Sequence, residues 1–199
     1  MTMLKLFLLV YMVLFFGAAF FWRSYRVWRR TGVNPYKLGG SDSAHDFIGR
    51  LFRVTNLAVL ATIVIYASSD TLYQSLVPIP WLTHWVLVLI GVVLLLIALL
   101  WVLIAQAQMG DSWRIGIDSE VKTALVQQGI FRLSRNPIFL GMQVMLLGLL
   151  LVLPNAVTLA IAVLGVALIQ IQVRLEEDHL LRLHGEDYRA YQRRVRRWL

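Results

Sequence analysis

Four stretches of this chain run long without Asp, Glu, Lys or Arg, and the polar residues gather between them. The first, 6–22, begins after Lys5 and closes on Phe21 and Trp22 before Arg23. About 20 helical residues cross a hydrocarbon core roughly 30 Å thick, so this stretch predicts a membrane span. It lacks a charged leader region beyond Lys5 and a small-residue cleavage site, which points to a retained helix rather than a signal peptide. A second span is expected over 54–69. The uncharged run between Asp70 and Asp111 is broken near its start by Pro78 and Pro80, which confines the third span to 85–107. Between Arg135 and Arg174 lie 38 uncharged residues, too many for one crossing and interrupted by the turn signal Pro154-Asn155. That predicts a helical hairpin, spans four and five. The fold class is therefore all-α: an integral membrane protein of about five transmembrane helices, ending in cytoplasmic interfacial helices.

Composition supports this pattern. Hydrophobic residues make up 59% of the 199 positions and charged residues 15%, against about 25% charged in an average soluble domain. The absence of cysteine removes disulfides, thiolate metal ligands and cysteine nucleophiles. A formal net charge of +8 could suggest nucleic acid as partner, but the cations follow topology instead. Seven lie in 23–53, four in 108–137 and seven in 174–199, with Lys5 alone elsewhere. With five spans these three segments share one side, which the positive-inside rule makes cytoplasmic. The expectation is a multi-pass protein of a bacterial or archaeal-type inner membrane, or of the endoplasmic reticulum in a eukaryote, with a cytoplasmic C-terminus and the bilayer rather than nucleic acid as partner. The spans carry no Asp, Glu, Lys or Arg apart from Lys5 at an end, which disfavours an ion-coupled transporter. Any site should lie in the cytoplasmic segments.

Two of those segments stand out. The first is 129–141, where Pro137 suits the first position of a helix and Asn136 its cap. A helix start there presents free N–H groups and partial positive charge to an anion, and Gly141 lets a ligand or another backbone come close. The second is 174–191, with the consecutive acids Glu176, Glu177 and Asp178 where span five leaves the bilayer. Pairing with Arg174 or Arg182 at helical spacing would give these acids a structural role. After Gly185, Tyr188, Tyr191, Val195 and Trp198 recur at helical spacing among five arginines, the pattern of an amphipathic helix lying on the membrane. The first cytoplasmic segment holds a Gly39-Gly40 turn and His45, read as a histidine of a solvated loop; Met109 to Gly116 reads as a polar helix exit with Trp113 and Arg114. A phosphate loop, an HExxH metal motif, a serine elbow and a dinucleotide-binding βαβ unit are all absent from the sequence.

In this order the elements Arg135-Asn136-Pro137-Ile138-Phe139-Leu140-Gly141, Glu176-Glu177 and Gly185-Glu186-Asp187-Tyr188-Arg189-Ala190-Tyr191 resemble the isoprenylcysteine carboxyl methyltransferase and phospholipid methyltransferase superfamily of integral membrane enzymes. That superfamily carries Arg-His-Pro-x-Tyr-x-Gly, then a Glu pair, then Gly-x-x-Tyr-x-x-Tyr. The likeness covers about 105–197 and implies S-adenosylmethionine as cofactor, bound in a cytoplasmic pocket of hairpin ends and tail, and a lipophilic substrate from the bilayer. Carried over by position, it implies Arg135 and Glu177 as catalytic and Arg135, Asn136, Pro137, Phe139, Gly141, Glu176, Glu177 and Tyr188 as cofactor-binding, with no metal. The chain is then one membrane domain, 1–199, with a three-helix part, 1–107, and a cofactor-binding half, 108–199. Three positions depart from the pattern: Asn136 replaces His, Phe139 replaces Tyr, and Gln172 stands where relatives often carry an Arg. Asn136 cannot act as a base at any pH.

The acids at 176–177 are then expected to bind the cofactor's amino group or ribose hydroxyls, and Arg135 with the helix start a carboxylate. Two other readings stay open on the sequence: an NADPH-binding relative of the sterol-type membrane reductases, and a non-catalytic lipid-binding or scaffold protein. The charge distribution makes a prediction of its own. A tag placed after Leu199 should be reached by an impermeant label only once the membrane is opened; labelling of intact cells would reverse the orientation.

Overall fold

In hydrocarbon every backbone N–H and C=O must be satisfied within its own segment, so long apolar runs fold as helices. In the computed structural model, which describes residues 2–34, 43–113 and 124–199, the first run forms one rod. It comprises α1 (Thr2–Leu14), a π-helical segment (Phe15–Trp22) and α2 (Arg23–Thr31). It therefore continues nine residues beyond the expected end, through a basic stretch with no breaker, until Gly32 closes it at φ 70°. The next helix, α3 (Ala44–Ser68), starts ten residues before the expected 54. Its polar first turns are helical because Ser43 caps them, its hydroxyl accepting from the Asp46 N–H at 3.2 Å. A short helix α4 (Asp70–Gln74) precedes α5 (Trp85–Met109), and then come α6 (Pro137–Val152), α7 (Ala156–His184) and α8 (Glu186–Arg194). The Gly39-Gly40 turn, Arg114 and Gly116 lie outside the described residues.

Among the described residues, four helices are long and apolar enough to cross a membrane: Met3–Thr31, Ala44–Ser68, Trp85–Met109 and Ala156–His184. Expected span four is corrected: it is shorter than a full crossing. Between Pro137, which starts it, and Pro154, which cannot continue it, α6 has room for only 16 residues. At 1.5 Å per residue that is about 24 Å, short of the hydrocarbon thickness of about 30 Å. By contrast the 29 residues of α7 measure about 43 Å, so one end of this helix reaches past the apolar layer and carries Glu176 and Glu177 with it.

The hairpin turn is where Pro154-Asn155 places it, and it is well tied. Asn155 and Thr158 form a reciprocal capping box, with Asn155 Oδ1 accepting from the Thr158 N–H at 2.9 Å and Thr158 Oγ1 from the Asn155 N–H at 3.1 Å. The preceding loop clamps this turn through Ile79 N–H to the Pro154 carbonyl (2.8 Å) and Ala156 N–H to the Val77 carbonyl (3.0 Å). At the same end Lys5 pairs with Asp70 at 2.8 Å, joining α1 to α4.

The closest packing of α6 is against α5 rather than against its hairpin partner. Gly91 of α5 faces Gly148 of α6 so tightly that a Cβ on Gly91 would stand 2.8 Å from the Gly148 carbonyl oxygen and 2.7 Å from Val152. Further along, a Cβ on Gly141 would meet Val102 at 2.6 Å. Small residues at such crossings let backbones approach, which drives association where lipid tails compete with apolar side chains. Trp101 adds an indole N–H to the Pro137 carbonyl at 2.9 Å. Around this pair the buried core takes Leu8 and Phe15 from the first rod, Ile63 from α3, Leu95 from α5 and Ile169 from α7. Large apolar side chains such as Val13, Phe21, Leu57, Leu100 and Val163 are exposed instead, the surface expected of a protein whose solvent is lipid.

The seam is testable. Gly91→Val should destabilise the protein by about 1–3 kcal/mol, as overpacking against backbone does, measured by unfolding in mild detergent. Gly17→Ala serves as control, because nothing lies within 4 Å of the added methyl.

Candidate functional site

Three parts of the chain meet where α7 leaves the apolar layer: the start of α6, the end of α7, and α8 with the segment after it. The α6 start is shaped by Ser134, whose hydroxyl accepts from the Asn136 N–H at 3.1 Å, and by Pro137, which has no N–H to satisfy. Asn136 occupies the cap position, but its side chain makes no capping bond. It points instead to Glu177, donating from Nδ2 to Oε1 at 2.9 Å.

Glu177 is the centre of this junction. It is 3% exposed, and both its oxygens are engaged. Arg135 reaches it through Nε (3.2 Å to Oε1) and Nη2 (3.1 Å to Oε1, 3.2 Å to Oε2), and Arg197 through Nε (3.2 Å) and Nη2 (2.8 Å) to Oε2. Among the described residues the acids form no ion pair with Arg174 or Arg182 along their own helix: Arg174 bonds the carbonyl and side chain of Gln170, one turn back. The expected interfacial helix also finds a different partner, because the aromatic stripe of α8 turns into the protein. Tyr188 and Tyr191 are buried, and the Tyr191 hydroxyl donates to the Phe131 carbonyl at 2.6 Å. Burial pushes the Tyr191 phenol up to about 12, so it keeps this proton through the physiological range.

Beside the junction opens a cavity of about 550 Å³, within the usual range for small-molecule sites. Its polar end is formed by Arg135, Asn136, Gln172, Glu176, Tyr188 and Tyr191, and its apolar wall by Phe16, Phe20, Phe52, Phe131, Phe139 and Met142, among others. Gln172 is the hinge of the polar end. Its Nε2 donates to Glu176 Oε1 at 2.8 Å and lies 2.9 Å from His45 Nε2, while its Oε1 is buried with no partner. The solvated-loop reading of His45 is thereby corrected, since the first turn of α3 brings this ring to α7 with its side chain 12% exposed.

Of the residues expected from the sequence, Arg135, Asn136, Pro137, Phe139, Glu176 and Tyr188 line this cavity. Glu177 lies behind it, holding Arg135 and Asn136, and Gly141 faces α5. Sequence reasoning missed Arg197, Tyr191 as a wall residue and the phenylalanines of the first rod. Arg197 is one of several tail arginines with nothing in its spacing to single it out, and Phe16 and Phe20 read as span residues.

A family model described as phospholipid methyltransferase matches residues 85–187, just over half of the chain. The chain belongs to that family. No curated protein and no solved structure matches it. Phospholipid methyltransferase family proteins are membrane enzymes that use S-adenosylmethionine, and this decides between the methyltransferase and reductase readings. The matched region holds α5 to α7 and the opening of α8, while Arg197 and the phenylalanines of the first rod lie outside it.

The polar end fits such a cofactor. An unpartnered buried amide oxygen and a carboxylate, side by side on α7, are acceptors for its amino and hydroxyl groups, and aromatic faces nearby suit both a base and a sulfonium cation.

The charge cluster predicts its own fragility. Arg135→Ala strips a carboxylate that is 4% exposed of its bidentate partner, and removing one member of a buried pair costs about 3–5 kcal/mol. Chemical unfolding in mild detergent should show a loss of that size; a change under about 1 kcal/mol would show that solvent replaces the guanidinium freely.

Proposed function

We propose that this methyltransferase alkylates a lipophilic acceptor at the cytoplasmic membrane face, with the methyl donor held at the polar end of the cavity and the acceptor along its phenylalanine wall. The observation that carries this reading is the composition of that one cavity, with acceptors and a guanidinium at one end and aromatic side chains from the first rod, α3 and α6 at the other. The bound donor supplies a methyl group already activated on sulfonium sulfur, so the protein's task is alignment and exclusion of water rather than bond polarisation.

Each residue has a part in that task. Glu176, held by Gln172, and the free Gln172 carbonyl accept the donor's amino or ribose hydroxyl hydrogens. The N–H groups at the start of α6 face a carboxylate, with Arg135 lending positive charge beside them while its own nitrogens stay on Glu177 and the carbonyls of Gln192 and Val195. Pro137 and Phe139 form the wall beside them, and Tyr188 closes the side given by α8. Glu177 acts through Arg135 and Asn136, and Gly141 by letting α5 and α6 close. Asn136 brings no base, so the acceptor must arrive as a competent nucleophile, as an ionised carboxylate does, or lose its proton to another group.

Purified protein in lipid nanodiscs, given S-adenosylmethionine labelled in its methyl group and native membrane lipids, should yield label that extracts into organic solvent. Glu176→Gln should weaken binding of S-adenosylhomocysteine by about tenfold or more in calorimetry, the loss of one charge-assisted contact. Label confined to water-soluble products would overturn the lipophilic acceptor; an unchanged affinity in Glu176→Gln would overturn the placement of the donor.

A further inference from the structure

The last turn of α8 and the segment after it make more contacts with the start of α6 than a surface tail requires. The Arg135 N–H donates to the Arg196 carbonyl at 3.0 Å. Arg135 Nη1 donates to the Gln192 carbonyl at 3.2 Å and to the Val195 carbonyl at 2.6 Å. The Ser134 hydroxyl and the Asn136 Nδ2 both donate to the Arg197 carbonyl, at 3.1 and 3.3 Å. Positions 134, 135 and 136 are thus each met by the strap 192–197, and two of them, Arg135 and Asn136, line the cavity.

The side chain of Arg197 closes this circuit. It supplies the shortest bond to Glu177, at 2.8 Å, on the oxygen that Arg135 reaches only at 3.2 Å. Without it Oε2 keeps a single long bond, and the carboxylate is held almost wholly through Oε1, which leaves its χ3 less restrained. Glu177 is also the anchor of the Asn136 amide and of two nitrogens of Arg135. A shift of this carboxylate would move both cavity-lining groups together, since each then keeps only its bonds to the strap carbonyls. Arg197 itself does not line the cavity, and a third of its side chain is exposed, so its removal opens no hole in the core.

We propose that Arg197 is a positioning residue of the methyl-donor site, fixing Arg135 and Asn136 through Glu177, and that the strap 192–197 is part of that site. The inference rests on the cavity being where the donor binds. It adds to the matched region a residue that lies beyond its end at 187.

The test uses the full chain in lipid nanodiscs and S-adenosylhomocysteine as calorimetric probe, with Kd and stoichiometry read separately. Arg197→Ala should raise Kd about tenfold at unchanged stoichiometry, as expected for a lost charge-assisted contact. Arg197→Lys, which keeps the cation but not the two-nitrogen grip, should fall between it and the parent protein. A merely structural role has a different signature: fewer competent molecules with the parent Kd. That outcome, or a Kd within about twofold of the parent, would overturn the inference. If Arg197→Ala does not yield folded protein, Arg197→Lys carries the same decision, with a raised Kd in support and an unchanged one against. Glu176→Gln separates the two levels. If it weakens binding while Arg197→Ala does not, only the role of Arg197 falls. If neither variant changes Kd, the donor lies elsewhere and the reading of the cavity falls first.

Discussion

A carboxylate removed from water is costly unless its charge is matched and its lone pairs are filled, and Glu177 meets that requirement only by drawing in three separate parts of the chain. Arg135 and Asn136 come from the opening of α6, Arg197 from the strap beyond α8, and the acid itself from α7. None of the three could be satisfied at this depth on its own helix. The junction therefore assembles as a unit: the burial of Glu177 determines where the strap runs, and the strap carbonyls in turn complete the hydrogen bonding of the Arg135 guanidinium. Two cations around one anion leave a net positive charge, while the neighbouring acid, Glu176, faces the cavity. The consecutive acids thus divide their work, one supporting the wall and one lining the cavity. Consecutive residues of a helix point about 100° apart, which is what makes this division possible.

The short helix α6 gives the junction its depth. A helix of about 20 residues from the Pro154 turn would place its start about four residues further along. With only 16 residues, and with glycine contacts drawing it against α5, α6 ends within the reach of α7. Phenylalanines of the first rod, α3 and α6 line the cavity beside that start. One cavity thereby has both polar and apolar walls.

Much of this could be read from the amino-acid order, and the limits have physical causes. Helix α5 and the Pro154 turn were legible because uncharged runs bounded by proline leave few alternatives. The cavity residues from Arg135 to Phe139, with Glu176 and Tyr188, followed from three motifs in order. What stayed hidden depends on contacts between distant segments. Residues 44–53 are charged and read as a connection, yet nothing in them breaks a helix once Ser43 caps it. The stripe Tyr188, Tyr191 has the period of a lipid-facing helix whether it meets lipid or protein; burial alone distinguishes the two. Arg197 lies among like neighbours, and only the position of Glu177 selects it.

The departures from the family pattern fit together once the partners are known. A histidine at 136 could bring a third positive charge beside Arg135 and Arg197, or, when neutral, a single donor. An asparagine brings a donor of fixed charge that bonds Glu177 and the Arg197 carbonyl at once. The second departure is at 172, where an arginine would add a cation to the cavity. Gln172 instead bridges His45 and Glu176 and leaves a carbonyl oxygen over. Both changes act in the same direction: they keep the polar groups of the cavity and remove positive charge from it. Of the two guanidinium groups among the described residues that line the cavity, Arg135 is already paired with Glu177, which leaves Arg53 as the other cation of the lining beside Glu176.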